Sequence, residues 1–228
     1  MLIYNFIKAL YFYFFVDKRV DNFPFGIYFF CGRQGAGKTI SAIRYIKELQ
    51  KDFDCLVFSN CDIVGIDGVI TDIEQLFTIT ENAGDSNIVF FLDEVQNQFS
   101  CANSKNFDEN ILSFITQQRK NKVHIVCTSQ VFTRVAKPLR EQAFRVFECN
   151  TYLGRCTVHK VFDAFDYLNY IDSISLEKRK KIKCLYRDSF FQDDKLRNLY
   201  NTYEVIHKLT FAGKRKIKNG MVFDEIRD

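Results

Sequence analysis

The sequence predicts an α/β fold, a mainly parallel central sheet between two layers of helices. Three observations carry this. A glycine-rich octapeptide, Gly32-Arg33-Gln34-Gly35-Ala36-Gly37-Lys38-Thr39, stands between an apolar run and a segment of helical period. Residues 88–92 form an unbroken apolar run, as strands buried on both faces do, and residues 123–127, apolar apart from His124, form a further strand. Strand-like and helix-like segments alternate along the chain, which makes crossovers between parallel strands.

Each element follows in order. Residues 1–22 form an N-terminal segment whose first sixteen residues, Met1 to Val16, are rich in Leu, Ile, Phe and Tyr, interrupted by Lys8. This stretch is too short to span a bilayer and carries no small-residue cleavage site. It is expected to be an amphipathic helix, packing on the domain or meeting a membrane surface or a partner. Pro24 and Gly26 close it off. Residues 27–31 form the first strand. Residues 39–49 form a helix with Ile40, Ile43, Ile46 and Leu49 on one face. Residues 55–59 form a second strand, 73–77 a short helix and 81–87 a polar loop. After the strand at 88–92, residues 108–120 carry Ile111, Leu112, Phe114 and Ile115 at helical spacing. The strand at 123–127 follows. Pro138 is expected to interrupt a short helical stretch from about 132. Residues 144–149 alternate and predict a strand nearer an edge, paired as a hairpin with 155–163.

The domain is expected to occupy 23–170. From 171 to 228 the sequence predicts a basic helical extension, with clusters at 178–183 and 214–218 that are either a solvated face or a contact for nucleic acid or membrane phosphates. The 228 residues suit one α/β domain with a small appendage, and 47% apolar residues exclude global disorder. A net charge of +4 is compatible with a nucleic-acid partner without requiring one. The eight cysteines form no C-x-x-C pair and the three histidines lie far from zinc-finger spacing. They read as reduced core residues of a cytosolic protein, with no structural zinc expected.

The octapeptide fits G-x-x-x-x-G-K-[ST], the phosphate-binding P-loop. Strand, glycine loop and helix is what the chemistry requires. Glycines let backbone N–H groups curl around a phosphate, and the helix N-terminus adds partial positive charge. Residues 32–40 (Gly32, Arg33, Gln34, Gly35, Ala36, Gly37, Lys38, Thr39 and Ile40) are the expected nucleotide cradle. Lys38 would reach the β- and γ-phosphates and Thr39 would hold Mg²⁺. Asp93-Glu94 ends the run at 88–92, about 50 residues on, as a Walker B pair does. Asp93 suits the Mg²⁺ shell, and Glu94 suits the general base that polarises an attacking water. ATP and Mg²⁺ are therefore the expected cofactors. In Thr128-Ser129-Gln130, Gln130 would sense the γ-phosphate or orient water. Ser129 alternatively caps the next helix. An arginine supplied from a neighbouring subunit often neutralises the leaving charge, and Arg119, Arg134 and Arg140 are the candidates.

Several of these strings resemble the zonular occludens toxin family, which includes the assembly ATPases of filamentous phages. They are the P-loop, Leu92-Asp93-Glu94 with Gln96, the basic cluster Arg119-Lys120-Asn121-Lys122, the strand ending Thr128-Ser129-Gln130, then Arg140 and the later Leu199-Tyr200-Asn201-Thr202-Tyr203. The likeness runs over residues 26–203. It implies an additional-strand P-loop NTPase of HerA–FtsK type, with the Gln130 strand between the Walker A and Walker B strands. It also implies a ring with ATP between subunits, acting on a phage genome. By motif position Lys38, Thr39, Asp93, Glu94 and Gln130 would carry the nucleotide chemistry, with Arg119 or Arg140 acting in trans. The filamentous-phage branch continues into a transmembrane helix, and no segment here has the length and apolarity expected of one. Either the N-terminal segment or a separate membrane-protein subunit would substitute, with the protein in the host cytoplasm at the inner face of the membrane, or the protein is a wholly soluble viral packaging ATPase.

The expected function is an ATP-hydrolysing motor for assembly, export or packaging of a viral DNA genome. Two other readings stand beside it: a nucleotide-gated assembly or scaffold ATPase without DNA translocation, and a P-loop small-molecule kinase. The second lacks the arginine-rich lid that such kinases carry.

Overall fold

The apolar run after Pro24 becomes β1 (Gly26–Cys31), and the cradle leads from it into α1 (Lys38–Asp52). The computed structural model describes residues 4, 7, 23–172 and 182–200. Further strands are β2 (Cys55–Ser59), the short β3 (Gly68–Val69), β4 (Asn87–Leu92), β5 (Val123–Ser129), β6 (Ala143–Tyr152), β7 (Cys156–Asp163) and β8 (Tyr186–Phe191). Helices are α2 (Glu74–Asn82), α3 (Glu109–Thr116), α4 (Lys137–Glu141), α5 (Ala164–Asp172) and α6 (Asp194–Arg197).

The strands form one sheet in the order β3-β2-β4-β5-β1-β6-β7-β8. The first six are mutually parallel, whereas β7 and β8 attach antiparallel. β5 lies between the P-loop strand β1 and the acidic strand β4, as expected of an additional-strand fold. Side chains leave alternate faces of each strand. Ile27, Phe29, Phe90 and Ile125 enter a core under α2, α3, α4 and α5. Phe30, Val89, Phe91 and Val126 enter a second core under α1, together with Leu196, Leu199 and Tyr200. These are the three layers.

Local chemistry explains the helix ends. Asp108 caps α3 by accepting from the N–H groups of Asn110 and Ile111. Asp193 caps α6 in the same way. Helix α1 has no such cap: Gly37 stands at its start at φ 82°, with no side-chain hydrogen bond and no acid in the first turn. Its N–H groups are left for an anion.

Several expectations are corrected. Pro138 does not interrupt a helix. It sits in the first turn of α4, where its missing N–H costs nothing. The strand β6 is not near an edge but lies between β1 and β7. The extension from 171 is not purely helical, because β8 pairs with β7 within the same sheet. Its residues Tyr186-Arg187-Asp188-Ser189-Phe190-Phe191 lack a continuous apolar run, so no strand stood out. The division at 170/171 therefore cuts through a sheet. The cluster at 214–218 and most of 178–183 lie outside the described residues, as does 1–22 apart from Tyr4 and Ile7, both exposed. Among the described residues no helix is long and apolar enough to cross a membrane.

Candidate active site

The ends of β1, β4 and β5 meet at one edge of the sheet, where the loops of open α/β sheets bind ligands. The loop turns at Arg33, whose carbonyl accepts from Ala36 N–H at 3.1 Å. Gly32 and Gly37 are required by close approach. A Cβ on Gly32 would stand 2.7 Å from the Cys149 carbonyl oxygen, and one on Gly37 would stand 2.5 Å from Thr151 Oγ1. Arg33, Gln34 and Gly35 face solvent, and Ile40 is half-buried on the first turn of α1.

Lys38 is only 6% exposed and its Nζ lies 3.5 Å from Glu94 Oε1 and 3.5 Å from the Arg33 carbonyl. Thr39 Oγ1 donates to Asp93 Oδ1 at 2.9 Å. Asp93 is 2% exposed. Thr128 Oγ1 donates to the same oxygen at 2.6 Å, and Tyr200 OH donates to Oδ2 at 3.4 Å. Burial pushes the Asp93 carboxyl above the usual carboxylate range, and the Thr128 and Thr39 hydroxyls partly offset this. A buried carboxylate beside a threonine hydroxyl offers the hard oxygen donors that Mg²⁺ takes, and a cation there would relieve the desolvation. The residues fit that metal.

Glu94 adopts φ 50° and ψ 46°, a left-handed conformation that side chains rarely take. Its N–H donates to Thr128 Oγ1 at 2.8 Å. Gln96, in the 3₁₀ turn Val95–Asn97, donates from Nε2 to Glu94 Oε2. Lys38, Thr39, Asp93 and Glu94, distant in sequence, thus form one cluster.

Gln130 follows β5 at the same edge, exposed, next to Ser129, whose carbonyl accepts from Gly32 N–H at 3.3 Å. Ser129 does not cap a helix: its hydroxyl donates to the Val131 carbonyl, and the following turn has no side-chain cap. The arginines are not brought to this cluster within one chain. Arg119 is exposed in the turn before β5, at the opposite edge of the sheet, and the seven residues of β5 separate it by roughly 20 Å. Arg134 is exposed at the end of a 3₁₀ turn. Arg140 is 10% exposed on α4, its Nη1 4.0 Å from Asp172 Oδ1, and its Nε and Nη1 lack hydrogen-bond partners.

Sequence reasoning missed part of the site. Asn60, just past β2, clamps the Asp93 backbone in both directions, at 2.8 and 3.1 Å. A polar residue directly after a parallel strand was the available signal. Behind the loop, Thr151 Oγ1 donates to the Ala36 carbonyl at 3.0 Å. Gln192, itself buried, donates to Thr157 Oγ1 at 2.7 Å and to Thr151 Oγ1 at 3.4 Å. These contacts cross the whole domain and leave no local trace. A neighbouring Ser41–His159–Asp188 arrangement, at 2.7 and 3.9 Å, looks like a hydrolytic triad, but Ser41 is 1% exposed on the inner face of α1, and its hydroxyl donates to the Gly37 carbonyl.

An uncapped glycine cradle, a buried lysine and a strand-end acid pair, with an additional strand between them, define a P-loop nucleoside triphosphatase. Residues 28–151, more than half of the chain, match the ATPase family associated with various cellular activities (AAA), and the chain belongs to that family. No curated protein sequence matches it. Among solved structures, the N-terminal domain of zonular occludens toxin from Neisseria meningitidis shares the fold. The match has a TM-score of 0.52 at 14% identity and covers 77% of this chain and 98% of that one. The genome packaging NTPase B204 from Sulfolobus turreted icosahedral virus 2 aligns at a TM-score of 0.43 and 13% identity, over 73% and 92% of the two chains.

Proposed function

We propose that this ATPase is a motor for the assembly, export or packaging of a viral DNA genome. It would work as a homo-oligomeric ring at the cytoplasmic face of the host membrane. The observation that carries the hydrolytic part is Glu94 held 3.5 Å from the loop lysine beside a buried Asp93. The genome part is supported by the fold shared with the zonular occludens toxin domain and by the two basic clusters in the sequence.

In this reading Lys38 turns from Glu94 to the β- and γ-phosphates. The water oxygen bonds to the γ-phosphorus while the bond from that phosphorus to the bridging oxygen breaks. The bridging oxygen leaves with the electron pair as ADP. The water proton passes to Glu94 Oε1. Thr39 and Asp93 would hold Mg²⁺, which supplies charge neutralisation on the phosphates. Gln130 stands at the edge where an amide would contact the γ-phosphate. Arg119 or Arg140 would serve from a neighbouring subunit.

Phosphate release by the assembled protein, with and without single- and double-stranded DNA, tests this. Lys38→Ala and Glu94→Gln are expected to lower kcat about 10²- to 10⁴-fold. DNA should raise the wild-type rate. A rate indifferent to DNA would sink the motor and favour the nucleotide-gated assembly reading. Full activity in Lys38→Ala would sink both.

A further inference from the structure

The cluster contains one residue to which the hydrolytic scheme gives no work. Gln96 stands two positions after the base, in the 3₁₀ turn that Glu94 opens with its left-handed backbone. Val95 roots this turn in the core, 1% exposed. The turn aims the Glu94 carboxylate back at the loop, where its two oxygens have different partners. Oε1 faces Lys38 Nζ at 3.5 Å, and Oε2 accepts from Gln96 Nε2. The amide must present its nitrogen there, because an ionised carboxylate only accepts. The other end of the amide is the second observation. Gln96 Oε1 is buried and has no hydrogen-bond partner. A buried acceptor left unpaired is costly, and such atoms concentrate at functional sites.

We propose that Gln96 is a positioning residue for hydrolysis, a reading that rests on the function proposed above. When Lys38 leaves for the phosphates, Glu94 loses the partner on Oε1. The amide keeps hold of Oε2, so the carboxylate cannot swing away and Oε1 alone faces the loop. The attacking water then donates one hydrogen to Glu94 Oε1 and the other to the free Gln96 Oε1. Both hydrogens are fixed, and the water lone pair points at the γ-phosphorus. Of the transferred atoms Gln96 keeps none: the proton goes to Glu94.

Gln96→Leu, one atom shorter and apolar, removes donor and acceptor together. The expected result is a kcat lowered about 10- to 100-fold, with KM and the Kd for ATP within about 2-fold of wild type. Gln96→Ala should behave alike and serves if leucine is not tolerated, with retained ATP affinity showing a folded protein. In a Glu94→Gln background, single-turnover hydrolysis should fall no further on adding Gln96→Leu, because the oriented base is already gone. Equal losses in both backgrounds, or lost ATP affinity with kcat kept, would overturn the proposal and make Gln96 a prop of the loop. If Glu94→Gln stops hydrolysis and Gln96→Leu is silent, this inference alone fails. If Glu94→Gln is itself silent, the hydrolytic reading fails, and this one with it.

Discussion

The sheet has two halves built on different principles. From β3 to β1 it is parallel, and every residue of β5 is buried, as are five of the six in β4. From β6 to β8 it runs into an antiparallel extension, where β7 alternates and β8 has no fully buried residue. The first half holds the chemistry, and the second leans on it from behind. Helices cover both faces of the first half, so its strands are mainly apolar, and their buried polar residues (His124, Thr128 and Ser129 in β5) each have a hydrogen-bond partner. The second half has a wet side and carries more polar residues, and those it turns inward, Thr151 and Thr157, brace the glycine loop.

This contrast can be broken by experiment. The largest effect of any single substitution belongs to the parallel half. Phe90, 0% exposed, should cost about 3–5 kcal/mol when cut to alanine, read as a shifted urea midpoint. Next comes acid. Burial holds the pKa of His124, in β5, down at about 3 and that of His159, in β7, down at about 4. The unfolded chain takes up protons near pH 6.5 that the folded chain refuses, so stability is intact above that value. It should fall between pH 6.5 and about 4, by about 1.4 kcal/mol per pH unit for each histidine. A flat urea midpoint from pH 7 to 5 would contradict this. Gln192→Ala removes the bond to Thr157 and should cost about 1–3 kcal/mol by thermal melting. The smallest effect is at Phe191 on β8, 64% exposed, where alanine should change stability by no more than about 0.5 kcal/mol. A cost at Phe191 equal to that at Phe90 would erase the distinction between the halves.

The same division governs what could be read in the sequence. Strands β1, β2, β4 and β5 were legible to within two residues, because a short apolar run between polar turns is what a strand covered on both faces requires. The pair β6–β7 was legible as a hairpin from its alternation, yet its central place in the sheet was not, because alternation reports one wet face and says nothing of neighbours. Strand β8 was hidden by its charges beside a basic cluster. In the site, the octapeptide and Asp93-Glu94 were legible because phosphate chemistry dictates their spacing. Asn60, Thr151 and Gln192 were not, since the contacts they make join positions far apart in the chain. The surroundings of Arg140 also depend on tertiary packing alone.

Thr151 props the glycine loop from 115 residues away, through a bond made entirely within the protein. A loop braced by its own sheet is stiff. Little chain entropy is lost when a triphosphate lands, and little is regained when the product departs, so repeated reloading need not melt and rebuild the cradle. An enzyme made this way can spend its binding energy on moving the parts around the loop.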